Sequence, residues 1–376
     1  MSTRTSAEHD AGTAIEHTAV RQLAGRTFGP PLVKKIYLPL PITPTGPGKE
    51  RLRDMAGKKL VSELRPGDKV ESYFSVAYKK PVVEYANGWM FEFRVGDRSG
   101  QATAKYWGGR DRELVKGVHD SFNRDDVVHI TGEVKEYRGQ MEIAVSEKDG
   151  GTVRRLGDGE FDVRELIRAR EDIPEMTARL AEVVRSVREP HLRKLLDSFA
   201  SDEEFMEGFR SAPASIQLHA AAIGGLLHHT LNVVSLCEKM CELHPDLDRD
   251  LVVTAALLHD IGKVASFKVT SNITQTPEGN LLGHIVMGDQ ELTMRMNAIE
   301  GFPDMLALKL RHVLLAHHGK RDWGSPVEPM LPEALAVHMA DDVDAKLDYM
   351  TTQLSEAVTE DDWIWDRRLQ RLLYLR

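Results

Sequence analysis

Residues 255–264, AALLHDIGKV, end a helical run of small apolar residues with an adjacent imidazole and carboxylate, His259 and Asp260, followed by Gly262 and Lys263. An apolar helix has little structural use for such a pair at its end, and both groups are costly to bury alone. A metal ion would offset that cost, with Gly262 stopping the helix just beyond its ligands.

The chain that must accommodate this feature has 376 residues, enough for two or three domains and a substantial core. With 41% hydrophobic and 28% charged residues it reads as an ordinary soluble protein. The net charge of −9 argues against a protein that coats duplexes, so a nucleic-acid site would be a local basic groove on an acidic body. Cys237 and Cys241 have no second pair, so they read as free thiols rather than a disulfide framework, which fits a reducing cytoplasm. The N-terminus lacks a signal-type apolar core, and no run approaches the ~18 apolar residues of a membrane span. The expectation is a cytoplasmic protein with no membrane partner.

Texture divides the chain. Residues 1–60, rich in Pro, Gly and Lys/Arg, read as a flexible or draped extension. Residues 61–150 read as β: strands in DKVESYFSVAYKKPV, WMFEFRVGDRSG and QATAKYWGG, a short helix in DRELVKGVHDSF, then two strands in DVVHITGEVKEYRGQMEIAVSE. Five short strands with a helix between the third and fourth is the order of an OB-fold barrel. Residues 151–171 read as a Gly/Arg-rich linker. From Asp172 to the C-terminus the periodicity is helical, so 172–376 is expected to be an all-α domain, with the tail DDWIWDRRLQRLLYLR an amphipathic segment for helix packing or self-association as a homo-oligomer.

The helical half carries further candidate ligands around the doublet. IGGLLHHTLNVV holds His228 and His229, GHIVMG holds His284, LLAHHGK holds His317 and His318, and LAVHMADDVDAKLD holds Asp341, Asp342 and Asp344. Imidazole nitrogen with carboxylate oxygen suits Mn²⁺, Fe²⁺, Co²⁺ or Zn²⁺ rather than an oxygen-only Mg²⁺ site. Two or more such ions a few ångströms apart would activate water and neutralise a phosphate in transition. Lys263, a helical turn past the doublet, could meet a phosphate oxygen.

The order His229, His259-Asp260, Asp341 resembles the H…HD…D signature of the HD superfamily of metal-dependent phosphohydrolases. The words IGGLLHHTLNVV, LLHDIGKV, HHGKRDWGSPVEP and ALAVHMADDVDAKLD resemble more narrowly the YhaM-type 3′–5′ exoribonucleases, which join an OB-fold to an HD domain. The resemblance spans roughly residues 64–350. It implies His229, His259, Asp260 and Asp341 as metal ligands, with Asp260 bridging, and His284, His317 and His318 as ligands of a second site. His228 stands where a glutamate is common in that branch and is left out of the set; Asp342 and Asp344 fit solvated or hydrogen-bonding roles. Mn²⁺ is the implied cofactor, with Asp260 and Lys263 as the catalytic residues.

The implied partner is single-stranded RNA, with ssDNA as an extension. The barrel would hold the strand through Lys79, Lys80, Tyr106, Trp107, Tyr137 and Arg138, although strand alternation allows only one of Tyr106 and Trp107 to face outward. His219, Lys320 and Arg321 would approach the strand from the helical domain. Two other readings stay open: a nucleotide or cyclic-dinucleotide phosphohydrolase, and a non-catalytic single-strand-binding protein with a structural metal. The absence of a Gly-Tyr-Pro word after His318 counts against the cyclic-dinucleotide branch.

Overall fold

Alternating apolar residues build the first half as a closed sheet. A computed structural model describes residues 59–137, 139–157, 159–216, 221–357, 359 and 361–375. Strands β1 (Lys69–Lys79), β3 (Gly88–Asp97), β4 (Gly100–Trp107), β6 (Gln140–Ser146) and β5 (Val127–Tyr137) are hydrogen-bonded in that order, and β5 returns to β1. Neighbours are antiparallel except β4 and β6, which run parallel. Helix α1 (Arg112–Asp120), capped by the Asp111 side chain, connects β4 to β5. This is the OB barrel in both strand order and helix position. Phe74, Phe91, Phe93, Ile130 and Ile143 fill its interior, and the short β2 (Val83–Tyr85) extends β3 outside the closed ring.

The stretch read as a linker is structured. β7 (Thr152–Arg155) pairs with β5, and α2 (Val163–Leu166) follows. Leu156, Phe161, Val163, Leu166 and Ile167 are buried with Tyr73 and Val127 of the barrel and with Ile223 and Val269 of the helical half. Composition pointed to a linker because glycines and arginines separate these apolar residues, but each apolar residue finds a seam to fill. The described residues all belong to one compact unit, Lys35–Arg376.

The helical half is a bundle: α3 (Ile173–Ser186), α4 (Pro190–Ala200), α5 (Glu203–Ser211), α6 (Gly225–Leu243), α7 (Arg249–Leu258), α8 (Lys263–Ser266), α9 (Pro277–Leu282), α10 (His284–Asn297), α11 (Asp304–Ala316) and α12 (Pro332–Glu356). Leu251 to Leu258 of α7 are all buried, and α7 packs against α4, α6, α11 and α12. A helix enclosed on all sides can present polar groups only at its ends. The Asp248 side chain caps its start, and His259 is its C-terminal cap.

Two β-hairpins interrupt the helices. The break at about 268–282 holds β8 (Phe267–Val269), β9 (Ile273–Gln275) and α9, and the tip residues Ser271 and Asn272 hydrogen-bond to Asp125 of the barrel. The C-terminal tail is not helical as expected. It folds as β10 (Trp363–Asp366) paired with β11 (Arg371–Tyr374). The sequence WIWD alternates: Trp363 and Trp365 are exposed while Asp366 is buried, a period of two that overrides the helical one. Among the described residues no helix is long and apolar enough to cross a membrane.

Candidate metal centre

Five helices bring their polar residues to one site. α6 brings His229, the end of α7 brings His259 and Asp260, α10 begins with His284, α11 ends at His317-His318, and α12 brings Asp341. The glycines beside these residues permit the approach. A Cβ at Gly262 would lie 1.9 Å from the His284 carbonyl oxygen and 2.6 Å from the Gly288 nitrogen, so only glycine lets α10 reach the doublet. Gly319 has φ +78°, and a Cβ there would lie 2.2 Å from the His338 ring. That left-handed residue ends α11 just after the paired histidines.

Asp260, only 2% exposed, stands between two groups of donors. Its Oδ2 lies 3.3 Å from His259 Nε2 and 3.5 Å from His229 Nε2. His229 Nε2 is in turn 3.1 Å from Asp341 Oδ1 and 3.2 Å from His259 Nε2. The other oxygen, Oδ1, lies 3.3 Å from His284 Nε2 and 3.6 Å from His317 Nε2. The ligand atoms of His284, His317 and His318 lie within 4.8 Å of one another. Ligands about 2.0–2.2 Å from a shared ion, at tetrahedral or octahedral angles, sit about 2.9–3.5 Å apart, close to most of these spacings.

The far side of four of these imidazoles is occupied so that Nε2 is left as the donor. Nδ1 of His259 donates to the Ala256 carbonyl (2.8 Å), that of His317 to Leu314 (2.6 Å) and that of His318 to Trp323 (2.8 Å). His229 Nδ1 instead meets Asp344 Oδ2 at 2.7 Å, and Asn232 donates to the other Asp344 oxygen at 3.0 Å. This is the outer support of metal-ligating histidines. Asp260 Oδ1, His284 Nε2 and His317 Nε2 are buried without a hydrogen-bond partner and face one another. Such a constellation is costly in a protein interior and fits a bound cation.

Charge in the centre is polarised. Burial works against ionisation of Asp260, but the Lys263 ammonium and the His259 and His229 rings hold its carboxyl well below the usual range. Asp341 is held low in the same way, His229 and His259 outweighing burial. Burial also opposes a charge on His229, yet Asp260, Asp341 and Asp344 raise its pKa well above the ordinary value. On the other side, burial first, then Lys263 and the neighbouring histidines, push His284 well below the ordinary imidazole, against the pull of Asp260. Burial and His317 lower His318. One side thus gathers carboxylates and the other gathers imidazoles, a donor set for divalent transition ions.

A cleft of about 620 Å³ opens onto these donors, with His229, Lys263, His318 and Asp341 in its wall. Lys263 reaches Asp260 Oδ2 at 2.6 Å. Lys320 lies over the Trp323 ring at 4.6 Å, and Arg321 is exposed on the same short 3-10 turn. His219 and Arg138, both expected at the strand, lie outside the described residues. Asp344, Asn232, Arg170, Trp323 and Arg368 were not foreseen in the cleft. The sequence gives Asp344 only a general hydrogen-bonding role, and the tail that supplies Arg368 satisfies a helical pattern.

The barrel divides the remaining candidates. Lys79 is structural: its ammonium donates to the His119 and Phe122 carbonyls that close α1. Tyr106 is also structural, 5% exposed and stacked on Phe91 in the barrel core. These two are corrections to the expected nucleic-acid face, because β alternation turns them toward the interior. Trp107 is half-buried and meets Tyr85 edge-on. Lys80 pairs with Glu92 at 2.7 Å. Tyr137 is 55% exposed, with Lys105 over its ring.

The chain is similar in sequence to known proteins. The HD domain family model matches residues 226–346. The chain is 28% identical to a 3′-5′ exoribonuclease YhaM of Shouchella clausii, over 79% of this chain and 89% of that protein. It is 29% identical to the Halalkalibacterium halodurans protein of the same name, over 77% of this chain and 87% of that one. Among solved structures, the OB domain of Ta0387 from Thermoplasma acidophilum aligns over 26% of this chain and 84% of that one, at 12% identity and a TM-score of 0.20.

Proposed function

We propose that this chain is a metal-dependent 3′–5′ exoribonuclease acting on single-stranded RNA, and on ssDNA as an extension, with the barrel gathering the strand and the helical domain cutting it. One observation carries the reading: the two oxygens of buried Asp260 face separate donor groups beside a cleft. The donors support phosphodiester hydrolysis with divalent ions; similarity to the curated exoribonucleases supports the RNA substrate and the polarity.

His229, His259, Asp341 and one oxygen of Asp260 would hold one ion; His284, His317, His318 and the other oxygen would hold a second. Mixed nitrogen and oxygen donors suit Mn²⁺, with Co²⁺, Fe²⁺ or Zn²⁺ as competitors. When bound, such ions neutralise phosphate charge and acidify water. The residues of the chain do the rest. Asp344 fixes the tautomer and plane of His229, and the Ala256 and Leu314 carbonyls do the same for His259 and His317. Lys263, at the cleft wall, offers an ammonium to a phosphate oxygen. Tethering keeps a strand held by the barrel in reach of the next cut.

The test is Asp260→Asn assayed on an end-labelled oligoribonucleotide with Mn²⁺. Activity should fall by at least the ~100-fold that loss of a supporting partner alone can cost, with strand binding by fluorescence anisotropy retained. The wild type should shorten the strand stepwise from its 3′ end. Undiminished cutting by the variant would overturn the site. Hydrolysis of free nucleotides or cyclic dinucleotides in place of RNA would overturn the substrate.

A further inference from the structure

The cleft extends beyond the metal donors along α12. Asp341, Ala345, Lys346, Asp348 and Tyr349 of that helix line it, and its far wall is the turn of the C-terminal hairpin, Arg368 and Leu369. That turn lies outside the stretch matched as an HD domain. It is tied to α12 by Asp366, 5% exposed, which accepts hydrogen bonds from the Tyr349 hydroxyl and, at 2.6 Å, from the Leu369 N–H. Arg368 is thereby laid over the Tyr349 ring, 4.9 Å from its centroid.

The cleft holds four cations, and three are already engaged. Arg170 meets Asp172 at 2.9 Å, Lys263 meets Asp260 at 2.6 Å, and Lys346 meets Asp342 at 2.5 Å. Among the described residues Arg368 has no carboxylate within ion-pair distance; an aromatic face supports it instead. A guanidinium stacked on a ring keeps its N–H edge free for a phosphate and is held in one orientation. From Asp341 to Tyr349 is eight residues of helix, about 12 Å along its axis. Arg368, over Tyr349, thus lines the cleft about two helical turns along α12 from the candidate ligand Asp341.

Trp323 supplies a second element. It is 46% exposed, lines the same cleft and carries Lys320 and Lys346 over its ring. Its carbonyl accepts the His318 Nδ1–H bond, so its position is coupled to the donor group. A half-exposed indole beside a metal centre is a platform on which any base can stack.

Resting on the exoribonuclease reading, we propose that Arg368 and Trp323 are substrate-positioning residues: Arg368 pairs with the phosphate of a nucleotide adjacent to the cut bond, and Trp323 stacks a base. The C-terminal hairpin is then a functional part of the nuclease. The test compares Arg368→Ala, Arg368→Lys and Trp323→Ala with Arg367→Ala. Arg367 is exposed on the same turn but does not line the cleft. Each is assayed with Mn²⁺ on labelled single-stranded RNA and on bis-para-nitrophenyl phosphate, which has neither a neighbouring phosphate nor a base.

Arg368→Ala should raise KM for RNA about tenfold, the scale of one lost charged hydrogen bond, with kcat within about twofold. Arg368→Lys should recover part of that loss, and Trp323→Ala should raise KM similarly. Arg367→Ala should match the wild type, and the two Arg368 variants should hydrolyse the small diester at the wild-type rate. An unchanged KM in Arg368→Ala, an equal effect of Arg367→Ala, or a parallel loss on the small diester overturns the proposal while leaving the nuclease reading intact. A wild-type protein inert on RNA but active on the small diester overturns both.

Discussion

Asp260 is the residue on which the chemistry turns, and its neighbours show how far an outer partner matters. Asp344 holds Nδ1 of His229 at 2.7 Å while Asn232 steadies its other oxygen. Replacing Asp344 with Asn keeps the shape but removes the charge that orients the ring and strengthens its basicity. Loss of such a partner costs about 10–100-fold in metal affinity or activity. A titration of nuclease rate against Mn²⁺ should therefore shift to higher concentration for Asp344→Asn, with kcat partly regained at saturation. A superimposable titration would show that Asp344 only fills space. The doublet was legible in the sequence because an imidazole and a carboxylate are both costly to bury, and two together after an apolar run need a reason. Asp344 was not, since three aspartates within four positions look alike until the helix shows which one reaches Nδ1 of His229.

Elements place these side chains, and the closest approach is between the start of α8 and the start of α10. A methyl group at position 262 would collide with backbone of α10, which cannot rotate out of the way as a side chain could. Gly262→Ala must push α10, and His284 with it, away from Asp260. Overpacking of this kind costs about 1–3 kcal/mol. Chemical denaturation should report a loss in that range, and the folded variant should lose nuclease activity because His284 no longer faces Asp260 Oδ1. A variant with unchanged stability and activity would mean that the two helices have slack the distances do not show. The helices themselves were foreseeable from their periodicity; the capping by Asp111, Asp202 and Asp248 is seen only in the fold. The C-terminal hairpin was misread because RRLQRLLYLR alone satisfies a helical pattern, and only the pairing of Trp363 with Tyr374 resolves the period as two.

At the scale of the molecule, barrel and bundle share a seam. Tyr73 of β1, 4% exposed, donates its hydroxyl to Glu165 at 2.5 Å and accepts the Asp162 N–H at 3.2 Å. Burial first, and then the Glu165 contact, push its pKa well above that of an ordinary phenol. Folding therefore keeps this phenol neutral, whereas in the unfolded chain it ionises above about pH 10. The unfolded state then binds fewer protons than the folded state, so the contribution of Tyr73 is complete below about pH 10 and is lost as pH rises above it. Tyr73→Phe should cost about 1–3 kcal/mol at neutral pH and show a shallower fall in stability between pH 9 and 11 than the wild type, followed by urea unfolding at each pH. Equal slopes would remove Tyr73 from the alkaline response. The seam was invisible in the sequence because its apolar residues are scattered through a Gly- and Arg-rich stretch and have no period of their own.

The sequence by itself determined what local patterns encode: a five-stranded barrel from alternation of period two, a bundle from the helical period, and a set of histidines and aspartates no core would hold without purpose. Those signals act over a few residues, so they survive without a fold. The tertiary structure decided everything that depends on direction. It turned the two oxygens of Asp260 toward different imidazoles, buried Tyr106 and tied Lys79 to α1, and swung the last strands back so that Arg368 faces the same cleft as Lys263. Side-chain direction at a shared site is set by packing between segments as much as 115 residues apart, which no local pattern contains.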